Sequence, residues 1–88
     1  MLEQEIVIKN RSGLHTRPAA LVVKLSSEFE CDVYLIREDF EINAKSIIGV
    51  MTLAAEQGCK LILRTDGSDE NEAMKKLVNL FASGFGEF

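Results

Sequence analysis

The hydrophobic positions of the chain repeat with two different periods, one typical of strands and one typical of helices. In residues 4–9, apolar and polar residues alternate around Ile6 and Ile8, as they do in a strand with one buried face. Three further short runs predict strands over residues 32–37, 40–43 and 60–65.

Other segments repeat their apolar residues every three to four positions, which is the spacing of amphipathic helices. The first covers residues 16–29, with Pro18 near its start, where a residue without an N–H costs nothing. The second is expected over residues 46–57 and is ended by Gly58.

The third helix is expected to begin at a capping pair, Asp69 and Glu72, three positions apart. Its predicted buried face consists of Ala73, Leu77, Leu80 and Phe81. The resulting order, β-α-β-β-α-β-α, indicates an α+β fold in which three helices cover one face of a mostly antiparallel four-stranded sheet. Residues 1–88 are expected to form one domain, because 88 residues leave room for a single core.

The charge of the chain argues against nucleic acid as a partner. Its formal net charge is −4, whereas proteins that neutralise nucleic-acid phosphates are usually basic. The first residues lack the pattern of a secretory signal, and no apolar run approaches the ~20 residues that span a bilayer. We therefore expect a cytoplasmic protein that does not insert into membranes.

The cysteines and the single histidine make a metal site improbable. Cys31 and Cys59 are the only cysteines, and two isolated thiols in a cytoplasmic protein are expected to stay reduced. A metal needs more ligands at closer spacing, so neither a metal nor another cofactor is expected.

The segment Ser12-Gly13-Leu14-His15-Thr16-Arg17-Pro18 holds the residues best suited to chemistry. It puts the lone histidine at a helix start, where unpaired backbone N–H groups and the helix dipole form an anion site. Arg17 adds a permanently protonated guanidinium that suits phosphate oxygens. The pattern suits a histidine that carries a phosphoryl group, although on spacing alone a histidine here is more often a cap or surface residue.

Ser46 stands at the start of the second helix, where a serine is commonly an N-cap and needs no further role. A phosphate there would be favoured by the helix terminus. The residues that follow, Ile47, Ile48, Val50 and Met51, are too apolar for a fully exposed helix. Roughly half of them are expected in the core, and Ile47 with Met51, four positions apart, is predicted to form an exposed docking patch.

Two segments also resemble motifs of a known family: Gly13-Leu14-His15-Thr16-Arg17-Pro18-Ala19-Ala20 and Asn43-Ala44-Lys45-Ser46-Ile47-Ile48-Gly49-Val50-Met51. They are similar to the active-site signature and to the Gram-positive-type regulatory segment of the HPr family, the histidine-containing phosphocarrier proteins of the bacterial sugar phosphotransferase system. Ser83-Gly84-Phe85-Gly86-Glu87 is a weaker match. The resemblance covers essentially the whole chain and implies an open-faced β-sandwich.

The resemblance implies that His15 takes a phosphoryl group on Nδ1 from phosphorylated Enzyme I and passes it to IIA components of sugar permeases. Arg17 would stabilise the phosphoryl group, and Pro18 would fix the helix start. The chain would be a stoichiometric carrier without turnover of its own, and a monomer that exposes one site to several partners.

The resemblance also implies that Ser46 is phosphorylated by an HPr kinase/phosphorylase. The added charge would repel Enzyme I and create a contact for a catabolite-control transcription regulator. Candidate contacts for Enzyme I and IIA proteins are Ile47, Met51, Lys24 and Thr16. For Lys24, an ordinary solvated lysine is a slightly better explanation.

Three other interpretations remain. A nitrogen-branch paralogue would share the His15 chemistry but serve regulation, and the Ser46 segment weighs against it. A purely regulatory HPr-like protein would act by binding alone, and the presence of His15 weighs against that. The third, a small α/β RNA-binding module, disagrees with the acidic charge and the absence of a base-stacking aromatic motif.

Overall fold

The strand-like and helix-like segments of the sequence become four strands and three helices in the computed structural model, which describes residues 1–87. Their bounds, in chain order, are β1 Leu2–Val7, α1 Thr16–Ser26, β2 Asp32–Arg37, β3 Phe40–Asn43, α2 Ile47–Thr52, β4 Lys60–Asp66 and α3 Glu70–Ala82. A short 3₁₀ helix, Gly84–Gly86, follows. The predicted order of elements is confirmed.

The strands form one antiparallel sheet in the order β1-β4-β2-β3. Thr65 of β4 lies opposite Leu2 on one side and Val33 on the other, and the side chain of Thr65 is buried. Arg64, the next residue back, points to the opposite face and pairs with Glu3 and Glu41 at 2.6 Å each. The alternation shows that one face packs against the helices while the other meets solvent, as predicted for an open-faced sandwich.

The core lies between the sheet and the helices. The strands contribute side chains from alternate positions: Ile6, Val33, Leu35, Leu61 and Leu63. The helices α1 and α3 each contribute one apolar face: Ala19 and Val22 from α1, and Ala73, Leu77 and Phe81 from α3. Each of the larger side chains contributes ~1.5–3 kcal/mol by leaving water. Leu80, predicted on the buried face of α3, is only half-buried, and Met74 is buried on α3 instead. No helix within residues 1–87 is both long and apolar enough to cross a bilayer.

The first helix ends three residues earlier than predicted, at Ser26. Phe29 is buried as expected, but it lies in the turn that follows. At the end of that turn the carboxylate of Asp69 accepts hydrogen bonds from the backbone N–H groups of Glu30 and Cys31, both at 2.9 Å, and so holds the chain off the helical path. These bonds, that of Glu30 first, lower the pKa of Asp69 below its ordinary value.

The predicted capping pair at the start of α3 is therefore wrong. Asp69 is the N-cap residue by position, but its side chain makes no capping bond, since it holds Glu30 and Cys31 instead. The glutamate that bonds the backbone before the helix is Glu70 and not Glu72: Glu70 Oε1 accepts a hydrogen bond from the N–H of Gly67 at 3.0 Å.

The second helix is half as long as predicted, because it ends at Thr52 and not near Gly58. The guanidinium of Arg37, on β2, donates to the carbonyl oxygens of Leu53 at 2.7 Å and Ala54 at 3.2 Å. Ala54 also adopts a left-handed φ of 48°. Carbonyls at the helix end thus find a side-chain partner, and the chain turns away. The first strand likewise begins and ends two residues before its predicted bounds.

Candidate functional site

The lone histidine stands at the N-cap of α1, held there by the loop before it. Gly13 turns the chain with a φ of 71°, and its N–H donates to the carbonyl of Asn10 at 3.2 Å. The N–H of Leu14 donates to the carbonyl of Ala55, after α2, at 2.9 Å. His15 then takes extended backbone angles, and its carbonyl accepts the first helical bond, from Ala19 at 2.9 Å.

The side chain of His15 does not cap the helix that it begins. It makes no hydrogen bond to the helix N–H groups, and the first turn of α1 carries no acidic residue. Pro18 has no N–H and Ala19 donates to His15, so Thr16 and Arg17 hold the N–H groups that remain for another acceptor. The imidazole is 43% exposed. The start of α1 therefore offers N–H groups that the His15 side chain leaves open to an anion, beside an accessible imidazole.

A carboxylate from the far end of the sequence completes this site. Glu87 Oε1 lies 2.8 Å from His15 Nε2 and 2.9 Å from Asn10 Nδ2, and its Oε2 lies 2.9 Å from Arg17 Nη1. The pKa of Glu87 is lowered, first by the bond from His15 and then by that from Asn10. An ionised carboxylate has no proton to give, so His15 Nε2 is the donor, and Nδ1 of a neutral ring carries the lone pair.

The segment that bears Glu87 is anchored in the core by Phe85. This residue is buried, meets Phe81 edge to face with ring centroids 5.1 Å apart, and has a left-handed φ of 59°. Its carbonyl oxygen accepts from Arg17 Nη1 at 2.9 Å. The Arg17 side chain is thus directed towards the 84–87 segment, with only Nη1 engaged there in the described contacts.

An open depression of about 210 Å³ lies beside the imidazole. It is lined by Arg11, Ser12, His15 and Glu87, a polar wall with a second guanidinium close to the site. Among residues 1–87, no group of three or more His, Cys, Asp or Glu side chains is arranged to hold a metal ion.

Ser46 is the N-cap of α2, and its Oγ accepts from the N–H of Gly49 at 3.2 Å. Its side chain is exposed. Of the four apolar residues after it, Val50 is fully buried, whereas Ile47 is 39%, Ile48 73% and Met51 43% exposed. Only Val50 lies in the core, fewer than the roughly half of these residues that were expected there, and Ile47 and Met51 are exposed together with Ile48. Since α2 packs against α1, this apolar surface is next to the helix that His15 begins.

The other predicted site residues lie along α1. Pro18 is buried near its start, Thr16 is exposed in its first turn, and Lys24 is exposed in its last turn. Lys24 makes no ion pair among the described residues. The ammonium of Lys45, just before α2, donates to the carbonyl of Phe29 at 2.8 Å.

Sequence reasoning missed three residues of the site: Asn10, Phe85 and Glu87. The contact from His15 to Glu87 spans 72 positions, so no periodicity could have indicated it. The Gly-Phe-Gly-Glu run was the only available signal, and it identified a motif without a role.

The fold and the site together define a small open-faced β-sandwich protein that presents one exposed histidine at a helix start. A family model described as PTS HPr component phosphorylation site matches residues 2–83. The phosphocarrier protein HPr of Xylella fastidiosa (strain 9a5c) is 46% identical over 87 residues, which cover 99% of this chain and 98% of the relative. The HPr-like protein Crh of Bacillus subtilis (strain 168) is 42% identical over 78 residues, covering 89% and 92%.

A solved HPr structure has the same fold as this chain. The crystal structure of HPr-C-His from Thermoanaerobacter tengcongensis superposes with a TM-score of 0.96 at 46% identity, covering 100% of this chain and 99% of that one. The chain belongs to the HPr family, the phosphocarrier proteins of the phosphotransferase system.

Proposed function

We propose that His15 accepts a phosphoryl group from phosphorylated Enzyme I and passes it to IIA components of sugar permeases. The observation that carries this proposal is the N-cap of α1, where an exposed imidazole makes no capping bond to the N–H groups of the helix start. A phosphoryl group on the ring would meet those donors and the positive end of the helix dipole.

The ring nitrogen that takes the group is Nδ1. Nε2 faces the carboxylate of Glu87 at 2.8 Å, so Nδ1 is the nitrogen with a lone pair to attack phosphorus. Arg17 stabilises the transferred group through donors that Glu87 and Phe85 do not occupy, and Pro18 sets the start of the helix. Positioning and charge supply the catalysis, as phosphoryl transfer requires.

The chain acts as one domain and as a stoichiometric carrier, not as an enzyme with its own turnover. An open site of about 210 Å³ suits a group that must be received from one protein and given to another. Transfer between protein partners also favours a cytoplasmic monomer. Ile47 and Met51, exposed on α2, form the docking surface, with Thr16 and Lys24 as contacts on α1.

Ser46 is a second, regulatory phosphorylation site in this proposal. An HPr kinase/phosphorylase modifies it, and a catabolite-control transcription regulator recognises the product. Its exposed position at the N-terminus of α2 supports this role, since a phosphate there is favoured by the helix end. Because Ile47 follows directly, the new charge would stand beside the apolar docking surface and oppose Enzyme I.

The test is phosphoryl transfer from phosphoenolpyruvate by Enzyme I, followed as the intact mass of the chain. We expect the gain of one phosphoryl group, which is lost in acid and absent in His15→Ala. Arg17→Ala should slow the gain by roughly 10- to 100-fold, because one charge-stabilising donor is removed. Arg64→Ala is the matched control, since it removes an arginine from the open face of the sheet.

Two outcomes would contradict the proposal. Absence of a phosphoryl group under conditions in which a known HPr reacts would favour a nitrogen-branch or purely regulatory paralogue that acts by protein binding. A large loss of thermal stability in Arg17→Ala with normal transfer would make Arg17 a structural residue.

A further inference from the structure

Glu87 lies outside the residues that the family model matches, yet it makes the shortest contact to the imidazole among the described residues. Its carboxylate collects three donors from three parts of the chain: Asn10 before the turn, His15 at the N-cap and Arg17 in the first turn of α1. At 29% exposure it is more sheltered than either His15 or Arg17.

Asn10 supports the interpretation that this carboxylate has a built position. Its side chain is fully buried, and Nδ2 donates to the carbonyl of Gly13 at 2.7 Å and to Glu87 at 2.9 Å. Both partners are acceptors, which fixes the orientation of the amide. Oδ1 is left buried without a partner among residues 1–87. An unpaired buried oxygen costs free energy, and the same orientation of the amide lets Nδ2 donate to Glu87.

We propose that Glu87 is a positioning residue for phosphoryl transfer: it keeps the proton of His15 on Nε2, and it stabilises the positive charge that the ring acquires when Nδ1 is phosphorylated. This inference rests on the proposed function of His15. It adds a role for a residue that acts through the imidazole and does not touch the phosphoryl group.

The step balances without any movement of a proton. The Nδ1 lone pair forms a bond to phosphorus while the bond from phosphorus to the donor's leaving atom breaks, and the donor keeps that electron pair. The ring, neutral before the attack, becomes a cation that still donates Nε2–H to Glu87. When the group is passed on, the Nδ1–phosphorus bond breaks and the neutral ring returns with its proton on Nε2. A carboxylate at 2.8 Å lowers the free energy of the cationic state relative to that of the neutral ring.

The first test reads the imidazole directly, in the unphosphorylated protein, by ¹⁵N NMR at about pH 8, where an unperturbed imidazole is neutral. We expect a protonated Nε2, an unprotonated Nδ1 and a slowly exchanging Nε2–H proton. Glu87→Ala should lose the slow exchange. Glu87→Gln should retain it, because the amide oxygen can still accept the bond. A proton on Nδ1 in the unaltered protein would overturn the inference.

The second test measures phosphoryl gain from Enzyme I as a function of carrier concentration. Glu87→Ala and Glu87→Gln should both lower the maximal rate about tenfold, because both remove the charge, while the KM for the carrier stays unchanged. Glu28→Ala is the charge-matched control, because it removes an exposed glutamate whose side chain makes no hydrogen bond or ion pair among the described residues.

The outcomes separate this inference from the proposed function. An unchanged maximal rate in Glu87→Ala, or a change in KM alone, overturns the role of Glu87 while His15 remains the carrier. A slower Glu87→Ala with an unchanged Nε2–H signal overturns it as well, because the effect would not pass through the ring. If the unaltered chain takes up no phosphoryl group, the proposed function fails and this inference fails with it.

Discussion

The backbone of Gly13 lies so close to Ala55 that a Cβ on Gly13 would stand 2.5 Å from the Ala55 carbonyl oxygen. That oxygen accepts a hydrogen bond from the N–H of Leu14 at 2.9 Å, which holds the loop that carries His15 against the segment after α2. Gly13→Ala must therefore move one of the two segments, in addition to straining a φ of 71°. We expect a loss of about 2 kcal/mol or more in the free energy of unfolding, measured with urea, together with slower phosphoryl uptake.

Gly58→Ala separates the two costs of that substitution. Gly58 has a φ of 87°, but a Cβ there would meet no atom within 4 Å. Gly58→Ala should therefore lower the free energy of unfolding only by the backbone strain, about 1 kcal/mol, and leave phosphoryl transfer unchanged. Equal losses in the two variants would show that the approach to Ala55 does not constrain the loop.

Ser46 allows stability and regulation to be measured apart. Ser46→Ala removes the cap on Gly49 and should cost about 1 kcal/mol in the free energy of unfolding, with phosphoryl uptake unchanged. Ser46→Asp keeps a capping oxygen and adds charge beside Ile47, so its stability should be near normal while uptake from Enzyme I slows. Ser68→Asp, in the exposed turn before α3, adds the same charge elsewhere. A normal rate in Ser46→Asp would remove the argument for regulation at this serine.

Asp69 should make stability depend on pH. Its pKa is lowered in the folded protein by the N–H groups of Glu30 and Cys31, so the unfolded chain binds the proton more tightly. The stabilisation is complete above the unfolded pKa of about 3.9 and is lost as the pH falls through the folded value. Asp69→Asn should thus have a clearly lower Tm at about pH 7 and a much smaller deficit at about pH 2.

The quantity to follow is the difference in Tm between the unaltered protein and Asp69→Asn at each pH. Glu70 and Glu87 also have lowered pKa values, but they are present in both proteins, so their contributions cancel. A Tm difference that stays constant from neutral to acidic pH would contradict the assigned role of the Asp69 carboxylate.

The two free cysteines should differ in reactivity. Cys31 is buried, and burial followed by the hydrogen bond with Asp69 raises the pKa of its thiol to about 11. At about pH 8 roughly one such thiol in a thousand is ionised, and the thiolate is the reactive form. Iodoacetamide should alkylate the half-buried Cys59 first, as read by peptide mass, and both at similar rates in denaturant. Faster alkylation of Cys31 in the native protein would contradict this.

Elements that depend on neighbouring residues were predictable from the sequence, and those that depend on distant partners were not. The order of strands and helices follows from local periodicity, and Ile47 and Met51, four positions apart, share the exposed side of α2 as their spacing indicates. The end of α2, by contrast, depends on Arg37 of β2, and the turn after α1 on Asp69, which follows β4. Neither partner has a fixed sequence separation from the segment that it holds.

The candidate site divides in the same way. His15, Arg17 and Pro18 are adjacent in sequence, so a motif could identify them together with the helix start. Asn10 looked like an ordinary turn residue, and its amide contacts Glu87 only because the packing of Phe85 on Phe81 brings that segment to it. That packing is a property of the folded core, which no local pattern records.

The distance in sequence between His15 and Glu87 also has a consequence in time. At a synthesis rate of about 5–20 residues per second, a ribosome that has just added His15 needs roughly 4–14 s to add the 72 residues that lead to Glu87. Throughout that interval the nascent chain has its imidazole but lacks the carboxylate that lies 2.8 Å from Nε2 in the folded protein. A partial product of translation would therefore bear the histidine without the hydrogen-bond partner that Nε2 has in the folded protein.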